Sequence, residues 1–390
     1  MISNVFIEID SFRYSKHDRP VNGDVTLTRK LPDGRVVSIL CDGLGSGVEA
    51  NVLASFTASM GIEYMQDEMT ITRAAELIMD ALPLCPSRKI SYSTFSIADL
   101  STDGELRMIE HGNPPFFVFR DSSLLPVNSQ ELYRKRWQNR KLDYVQLKIM
   151  PGDRVVLMSD GVTQAGIGGK KWPMGCGIDH VTNHIEEQIR LTPDVSASRL
   201  CRLVCDNALV NDCFFAGDDI TCLVMYFRKP RILRVLTGPP LDTNRDQEFA
   251  DLLRNWNGMC AICGGTTANI IERELGRSAV VNLGSIDPVV PATSDMDGID
   301  LVTEGCITLG QTLQLLEKKL IVQQGKNGAQ RLVNLFMSSD IIEFYVGTRI
   351  NQAHQDPDLP IELDIRRNVL KNICAVLEKE YYKTTITRYL

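Results

Sequence analysis

The chain has 390 residues, 44% hydrophobic and 23% charged, with net charge −7 and a mean hydropathy of −0.08. This is the make-up of a globular protein too long for one ordinary core. No apolar run approaches the roughly 20 residues that span a bilayer, no basic cluster is interleaved with aromatics, and MISNVFIEID has no signal-peptide pattern, so neither a membrane nor nucleic acid is an expected partner. Eleven scattered cysteines, an odd number, are expected to be reduced thiols of a cytoplasmic protein.

In chain order, Asn4 to Tyr14 reads as a strand, and Asp24 to Lys30 with Arg35 to Cys41 as a hairpin around Pro32-Asp33-Gly34. Helical spacing marks Ala50 to Met65 and Ile71 to Leu82. A second hairpin, Ser91 to Asp99 with Leu106 to His111, turns at Thr102-Asp103-Gly104, and Phe116 to Arg120 is a further strand. After the strand Arg154 to Met158 come helices at Ile178 to Ile189 and Val195 to Leu209, then the strand Ile220 to Phe227. Hairpins with paired helices predict an α+β domain on antiparallel sheet, bounded by Arg228-Lys229-Pro230. The expected domains are therefore residues 1–229 and 230–390.

Past that boundary strand and helix alternate, which predicts a smaller α/β domain with parallel sheet. Its expected strands are Ile232 to Leu236, Met259 to Cys263, Ala279 to Leu283 and Ile341 to Val346. Its expected helices are Asp242 to Trp256, Thr266 to Leu275, Leu309 to Gln323 and Ile365 to Tyr381, with a long loop at Gly284 to Gly298.

Counting along the first hairpin places Asp24 and Asp42 equally far from its turn, hence side by side at the open end of the ladder. Two carboxylates there repel unless a cation sits between them. The turn Gly43-Leu44-Gly45-Ser46-Gly47 offers the Gly43 carbonyl as a further oxygen ligand. Asp160, in Ser159-Asp160-Gly161, and Asp218, in Gly217-Asp218-Asp219, repeat the pattern of an acid beside a glycine at the mouth of an apolar strand. Oxygen donors of this kind suit Mg²⁺ or Mn²⁺ rather than zinc. If the strands are neighbours, four carboxylates converge on one edge, enough for two ions. Taken singly, each Asp-Gly pair is an ordinary turn.

These segments resemble, in order, the motifs of SpoIIE-type phosphatases, the bacterial branch of the metal-dependent, protein phosphatase 2C-like (PPM) family. They are Asn22-Gly23-Asp24, Asp42-Gly43-Leu44-Gly45-Ser46-Gly47, Ser159-Asp160-Gly161-Val162-Thr163 and Gly217-Asp218-Asp219-Ile220-Thr221. Ser93-Thr94-Phe95-Ser96 through His111-Gly112-Asn113-Pro114-Pro115 is similar to that branch too. The resemblance implies a PPM-type α-β-β-α sandwich of two antiparallel sheets flanked by helix pairs. It implies that Asp42 bridges two Mn²⁺ or Mg²⁺ ions, that Asp24 and the Gly43 carbonyl hold one, and that Asp160 and Asp218 hold the other. Asp219 matches a less strictly acidic position. The implied reaction is attack of a metal-held water on phosphoserine or phosphothreonine of a regulatory protein, such as an anti-sigma-factor antagonist. The glutamate before the first aspartate in many eukaryotic relatives is replaced by Gly23, and the resemblance does not place their phosphate-binding arginine and proton-donating histidine. The alternatives are a catalytically silent scaffold that docks partners, and a carboxy-terminal domain that binds a phosphorylated small molecule.

Other candidates have plainer readings. His180 and His184 lack the glutamate of a zinc protease motif and read as exposed polar residues of a helix. Cys260 and Cys263 fall in a strand, away from a helix amino terminus that would activate a thiol. Cys201 and Cys205 read as core. Gly264, Gly265, Thr266 and Thr267 link a strand to a helix and form a possible anion site, beside Thr237-Gly238-Pro239-Pro240. This loop is neither a Walker loop nor a dinucleotide fingerprint.

Overall fold

The computed structural model describes residues 5–67, 69–82, 91–137, 140–285, 287–320, 325–349, 360–381 and 383–390. The chain divides into two compact units, Met1–Lys229 and Pro230–Leu390.

The first unit contains β1 (Phe6–Tyr14), β2 (Asp24–Lys30), β3 (Val36–Gly43), α1 (Val48–Gln66), α2 (Ile71–Ala81), β4 (Ser93–Leu100) and β5 (Glu105–His111). There follow β6 (Phe117–Arg120), β7 (Ser123–Leu124), β8 (Gln130–Tyr133), β9 (Lys141–Lys148), β10 (Arg154–Met158), α3 (Asp160–Thr163), α4 (Gly177–Leu191), α5 (Ala197–Asn211) and β11 (Ile220–Arg228). One sheet runs β1-β11-β10-β6-β7 and the other β2-β3-β4-β5-β9-β8, with every pairing antiparallel.

Strand periodicity explains the layering, because alternate residues of one strand face opposite sides. On β3, Val37, Ile39 and Cys41 pack with Ala54, Ala58 and Ile62 of α1 and Ile78 of α2. Leu40 faces the other way, into an inter-sheet core with Met108, Val118, Leu157, Leu223 and Met225. On the second sheet Val156, Cys222 and Val224 turn outward against Ile185 of α4 and Leu200 and Val204 of α5. The result is helix pair, sheet, sheet, helix pair. Helix starts follow local chemistry: Thr70 Oγ1 accepts from the Arg73 amide ahead of α2, and Ser196 Oγ from the Arg199 amide ahead of α5.

The second unit contains β12 (Ile232–Thr237), α6 (Asp246–Arg254), β13 (Met259–Cys263), α7 (Gly265–Leu275), β14 (Val280–Val281), β15 (Ser294–Met296) and β16 (Ile299–Thr303). It continues with α8 (Cys306–Glu317), α9 (Gly328–Ser338), β17 (Ile341–Val346), α10 (Pro360–Tyr381) and β18 (Thr384–Tyr389). The order is β14-β15-β16-β13-β12-β17-β18. From β16 to β18 all pairs are parallel, and β14 and β15 add an antiparallel edge. Helices α8, α9 and α10 cover one face and α6 and α7 the other, a doubly wound arrangement.

Several expectations need correction. The loop expected at Gly284 to Gly298 contains β15, whose Ser294 pairs with Val302. The strand expected at Ala279 to Leu283 shrinks to two residues, and α8 begins earlier than expected and ends at Glu317. Gln323, the end expected for that helix, and Asn4, the start expected for the first strand, lie outside the described residues. Besides β15, five strands (β7, β8, β9, β16, β18) and two helices (α3, α9) lie outside the expected elements. Among the described residues no helix is long and apolar enough to cross a membrane.

Candidate active site

Asp24 opens β2 and Asp42 nearly closes β3, and the register sets them directly opposite each other. The hairpin turn that fixes this register is held by Gly34 at φ 87° and by the Arg35 amide donating to Asp33 Oδ1 at 3.0 Å. Asp160 begins α3 immediately after β10, and Asp218 lies two residues before β11. The β2–β3 hairpin thus supplies two carboxylates and the ends of β10 and β11 in the other sheet two more.

Asp24 is 1% exposed, and neither of its carboxylate oxygens has a hydrogen-bond partner among the described residues. Burial first raises its pKa, the nearby hydroxyls of Thr221 and Ser159, outside hydrogen-bond geometry, lower it, and the charges of Asp219 and Asp160 raise it again, leaving it at about 7. Asp42 is pushed up to about 9 by burial and by Asp24, Asp160, Asp218 and Asp219. Asp160 is raised by burial and by Asp218, and its Oδ2 accepts from Gln164 Nε2 at 2.9 Å. Repulsion among carboxylates opposes closer approach, and among the described residues no three His, Cys, Asp or Glu side chains are gathered tightly enough to hold an ion. The donor set is nevertheless all oxygen, and the orphaned pair on Asp24 is what a hard cation would satisfy.

Asp219 does different work from its neighbour. It is 4% exposed; its Oδ2 accepts from the Gly23 amide at 2.8 Å and its Oδ1 from the Lys16 amide at 2.9 Å. It thereby ties the segment entering β2 to the start of β11. Two glycines make this packing possible. A Cβ on Gly43 would stand 2.1 Å from the Ala50 carbonyl oxygen, and one on Gly161 2.1 Å from that of Asp219. The Ser93–Pro115 motif is structural support: Asn113 Nδ2 donates to the Leu40 carbonyl at 3.3 Å and to Ser96 Oγ at 3.0 Å, while Thr94 Oγ1 bonds Asn113 Oδ1.

Sequence reasoning missed the cations. Lys16 Nζ lies 3.6 Å from Asp218 Oδ1, and Arg13 Nη1 donates to the Asp24 carbonyl at 3.2 Å. Only the position of Lys16 and Arg13 ahead of Asn22-Gly23-Asp24 could have pointed to them. Exposed apolar side chains flank the carboxylates: Phe214 and Phe215 precede Asp218, and Ile167 and Met174 follow Asp160.

The remaining candidates stand apart from these carboxylates in role. His180 and His184 are half-buried rather than exposed. The His180 ring packs at a tilt of 47° against Trp172 and its Nε2 lies 3.2 Å from Asn207 Oδ1, and His184 Nε2 lies 3.3 Å from the Leu203 carbonyl. The apolar face of α4 turns them onto α5. Cys201, Cys205, Cys260 and Cys263 are buried thiols.

A family model described as stage II sporulation protein E (SpoIIE) matches residues 32–228. Stage II sporulation protein E of Priestia megaterium is 25% identical over 143 residues, 36% of this chain and 24% of that protein. The chain therefore spans about a quarter of the length of this curated relative. Among solved structures, the PP2C phosphatase domain with a regulatory fragment of SpoIIE from Bacillus subtilis is 17% identical. It aligns with 58% of this chain and 63% of that one at a TM-score of 0.49. The RsbU and RsbW domains of Rv1364c from Mycobacterium tuberculosis are 21% identical, with 64% and 68% covered and a TM-score of 0.47.

Proposed function

The chain belongs to the SpoIIE family, and from that premise we propose that residues 1–229 are a metal-dependent protein serine/threonine phosphatase. It hydrolyses phosphoserine or phosphothreonine in a regulatory partner protein of the anti-sigma-factor-antagonist kind. The observation that carries this reading is the opposed pair Asp24 and Asp42, with both oxygens of the buried Asp24 unpartnered among the described residues. Burying a carboxylate without a partner costs several kcal/mol. A docking scaffold has no need of that cost, whereas a cation offsets it.

Asp24, Asp42, Asp160, Asp218 and the Gly43 carbonyl would hold two ions, Mn²⁺ or Mg²⁺. When bound, such a pair activates water for in-line attack on phosphorus and neutralises charge on the phosphoryl oxygens. The chain's own residues arrange the site. Asp219 fixes the backbone leading into Asp24, and Gly43 and Gly161 let the carboxylate-bearing turns pack closely. Lys16, beside Asp218, offers a positive charge to the substrate phosphate. The exposed Phe214, Phe215, Ile167 and Met174 suit a protein surface better than a small ester. Residues 230–390 act as the regulatory or partner-selecting domain.

The test is hydrolysis of a phosphothreonine peptide and p-nitrophenyl phosphate by metal-stripped full-length protein, with Mn²⁺ or Mg²⁺ restored, beside Asp42→Ala. Turnover should require the metal and fall by at least about 100-fold in the variant. Folded, metal-loaded wild type without turnover would leave the docking scaffold as the reading.

A further inference from the structure

The parallel order β16-β13-β12-β17 brings the carboxyl ends of four strands to one edge, the edge where α/β sheets bind ligands. Buried threonines line it: Thr237, Thr267, Thr303 and Thr308 are at most 3% exposed. Thr237 Oγ1 donates to the Cys263 carbonyl at 2.8 Å, and Thr303 Oγ1 to that of Glu304. Thr267 and Thr308 differ. Both are fully buried, and neither Oγ1 has a hydrogen-bond partner among the described residues.

An orphaned buried hydroxyl is costly, and here it recurs at the same place, the third residue of a helix capped by glycine. The caps are Gly264 for α7 and Gly305 for α8, and neither provides a side-chain cap. Thr267 Oγ1 is aimed at the entry to α7, 3.4 Å from where a Cβ on Gly264 would stand. Gly264 itself, at φ 133°, has a backbone that L side chains rarely adopt. Ahead of Gly265 there is open space, with no described heavy atom within 4 Å of a Cβ built there. The Gly265 amide, the first of this 11-residue helix, has no acceptor within the helix, and the helix dipole favours an anion.

The adjoining loop indicates what else the ligand carries. The Gly264 amide donates to the Thr303 carbonyl at 2.8 Å, and a Cβ on Gly305 would stand 3.6 Å from Gly264 Cα, so Glu304 lies beside the α7 entry. Its Oε2 accepts from the Ile307 amide at 3.1 Å, which supplies the first turn of α8 with a carboxylate and leaves α7 as the open anion position. A carboxylate so placed repels bare phosphate but accepts hydrogen bonds from hydroxyls. We propose that the entry to α7, through the Gly265 amide and Thr267, holds the phosphate of a hydroxyl-bearing phosphate ester, a nucleotide or sugar phosphate. Thr267 Oγ1 donates to the phosphate and Glu304 accepts from a ligand hydroxyl.

Calorimetric titration of the full chain in EDTA with AMP, glucose 6-phosphate and inorganic phosphate tests this, read alongside hydrogen exchange of a peptide spanning residues 264–268. One ester should bind one-to-one and slow exchange there, with inorganic phosphate weaker by about tenfold or more. Gly265→Asp places a carboxylate in the open space at the α7 entry. It should abolish binding without lowering Tm. Thr267→Val, which keeps the shape, should weaken binding by about tenfold while the ligand-free Tm holds or rises; a purely structural hydroxyl would change Tm and leave affinity alone. No binding of any of the three probes, or unchanged binding in Gly265→Asp, overturns the proposal. Equal affinity for inorganic phosphate overturns the role of Glu304. None of these outcomes touches the phosphatase reading.

Discussion

Replacing Asp42 with asparagine removes one charge of the opposed pair and keeps its shape, so it isolates what that pair costs the metal-free protein. Side chains directly opposite in an antiparallel pair stand roughly 5 Å apart, where two carboxylates repel by about 3 kcal/mol at an effective dielectric of about 20. Protonation is the other way out. It costs about 1.4 kcal/mol per pH unit above a carboxyl's ordinary range, so by pH 8 either route costs at least as much as the repulsion. Wild type in EDTA at pH 8 therefore carries a penalty of about 3 kcal/mol that Asp42→Asn relieves. At 2–4 °C per kcal/mol for a unit of this size, Tm should rise by about 6–12 °C. The sign with pH follows from carboxyls raised from 3.8 to about 7 and about 9. Their contribution is intact below 3.8 and is lost as pH climbs through the folded values, so the gap should shrink to about 1 kcal/mol near pH 4.5. Saturating Mn²⁺ should reverse the order, because only the wild type keeps the full ligand set. Differential scanning fluorimetry in EDTA and in Mn²⁺, from pH 4.5 to 8, measures all of this. A variant that melts below wild type in EDTA at pH 8, or a gap indifferent to pH, refutes the reasoning.

Two further outcomes follow from groups nearby. Asp219→Asn should lower stability by about 2–3 kcal/mol and reduce turnover more than it raises KM, since Asp219 holds the Gly23 and Lys16 amides; unfolding in urea with steady-state kinetics would show it, and wild-type behaviour would remove Asp219 from the site's support. Glu110 is buried, bonded to Ser96 Oγ and the Phe116 amide, and pushed up to about 8 by burial. Its pKa, raised from 4.5, makes stability fall as pH rises from there to about 8 and level off above, so Glu110→Gln should flatten the decline between about pH 5 and 8, and an unchanged slope would assign that decline elsewhere.

How far the sequence could be read depended on whether a signal was local. The opposition of Asp24 and Asp42 follows from counting along one hairpin, and Arg154–Met158 is a strand buried along its whole length. β9 escaped notice because its outer face is charged and only Leu142 and Val145 are buried. β16 is short and sits beside turn-forming residues, and β15 is shorter still. At the site, the clamp from Asp219 to Gly23 joins residues 196 apart, and no local pattern encodes such a contact. The unsatisfied hydroxyls of Thr267 and Thr308 were likewise invisible, since satisfaction is a property of neighbours brought together by folding.

The pairing of β1 with β11 has a kinetic consequence. Phe6 finds its partner in Arg228 and Tyr14 in Ile220, so the first strand of this unit must wait for its last strand before its sheet can close. Loop closure over such a span is slow and leaves an edge exposed meanwhile. The hairpin carrying Asp24 and Asp42 can form early, but the layer that brings Asp160 and Asp218 opposite it is completed only once Arg228, the end of β11, has emerged. During synthesis, and in refolding from denaturant, recovery of secondary structure should therefore run ahead of recovery of activity.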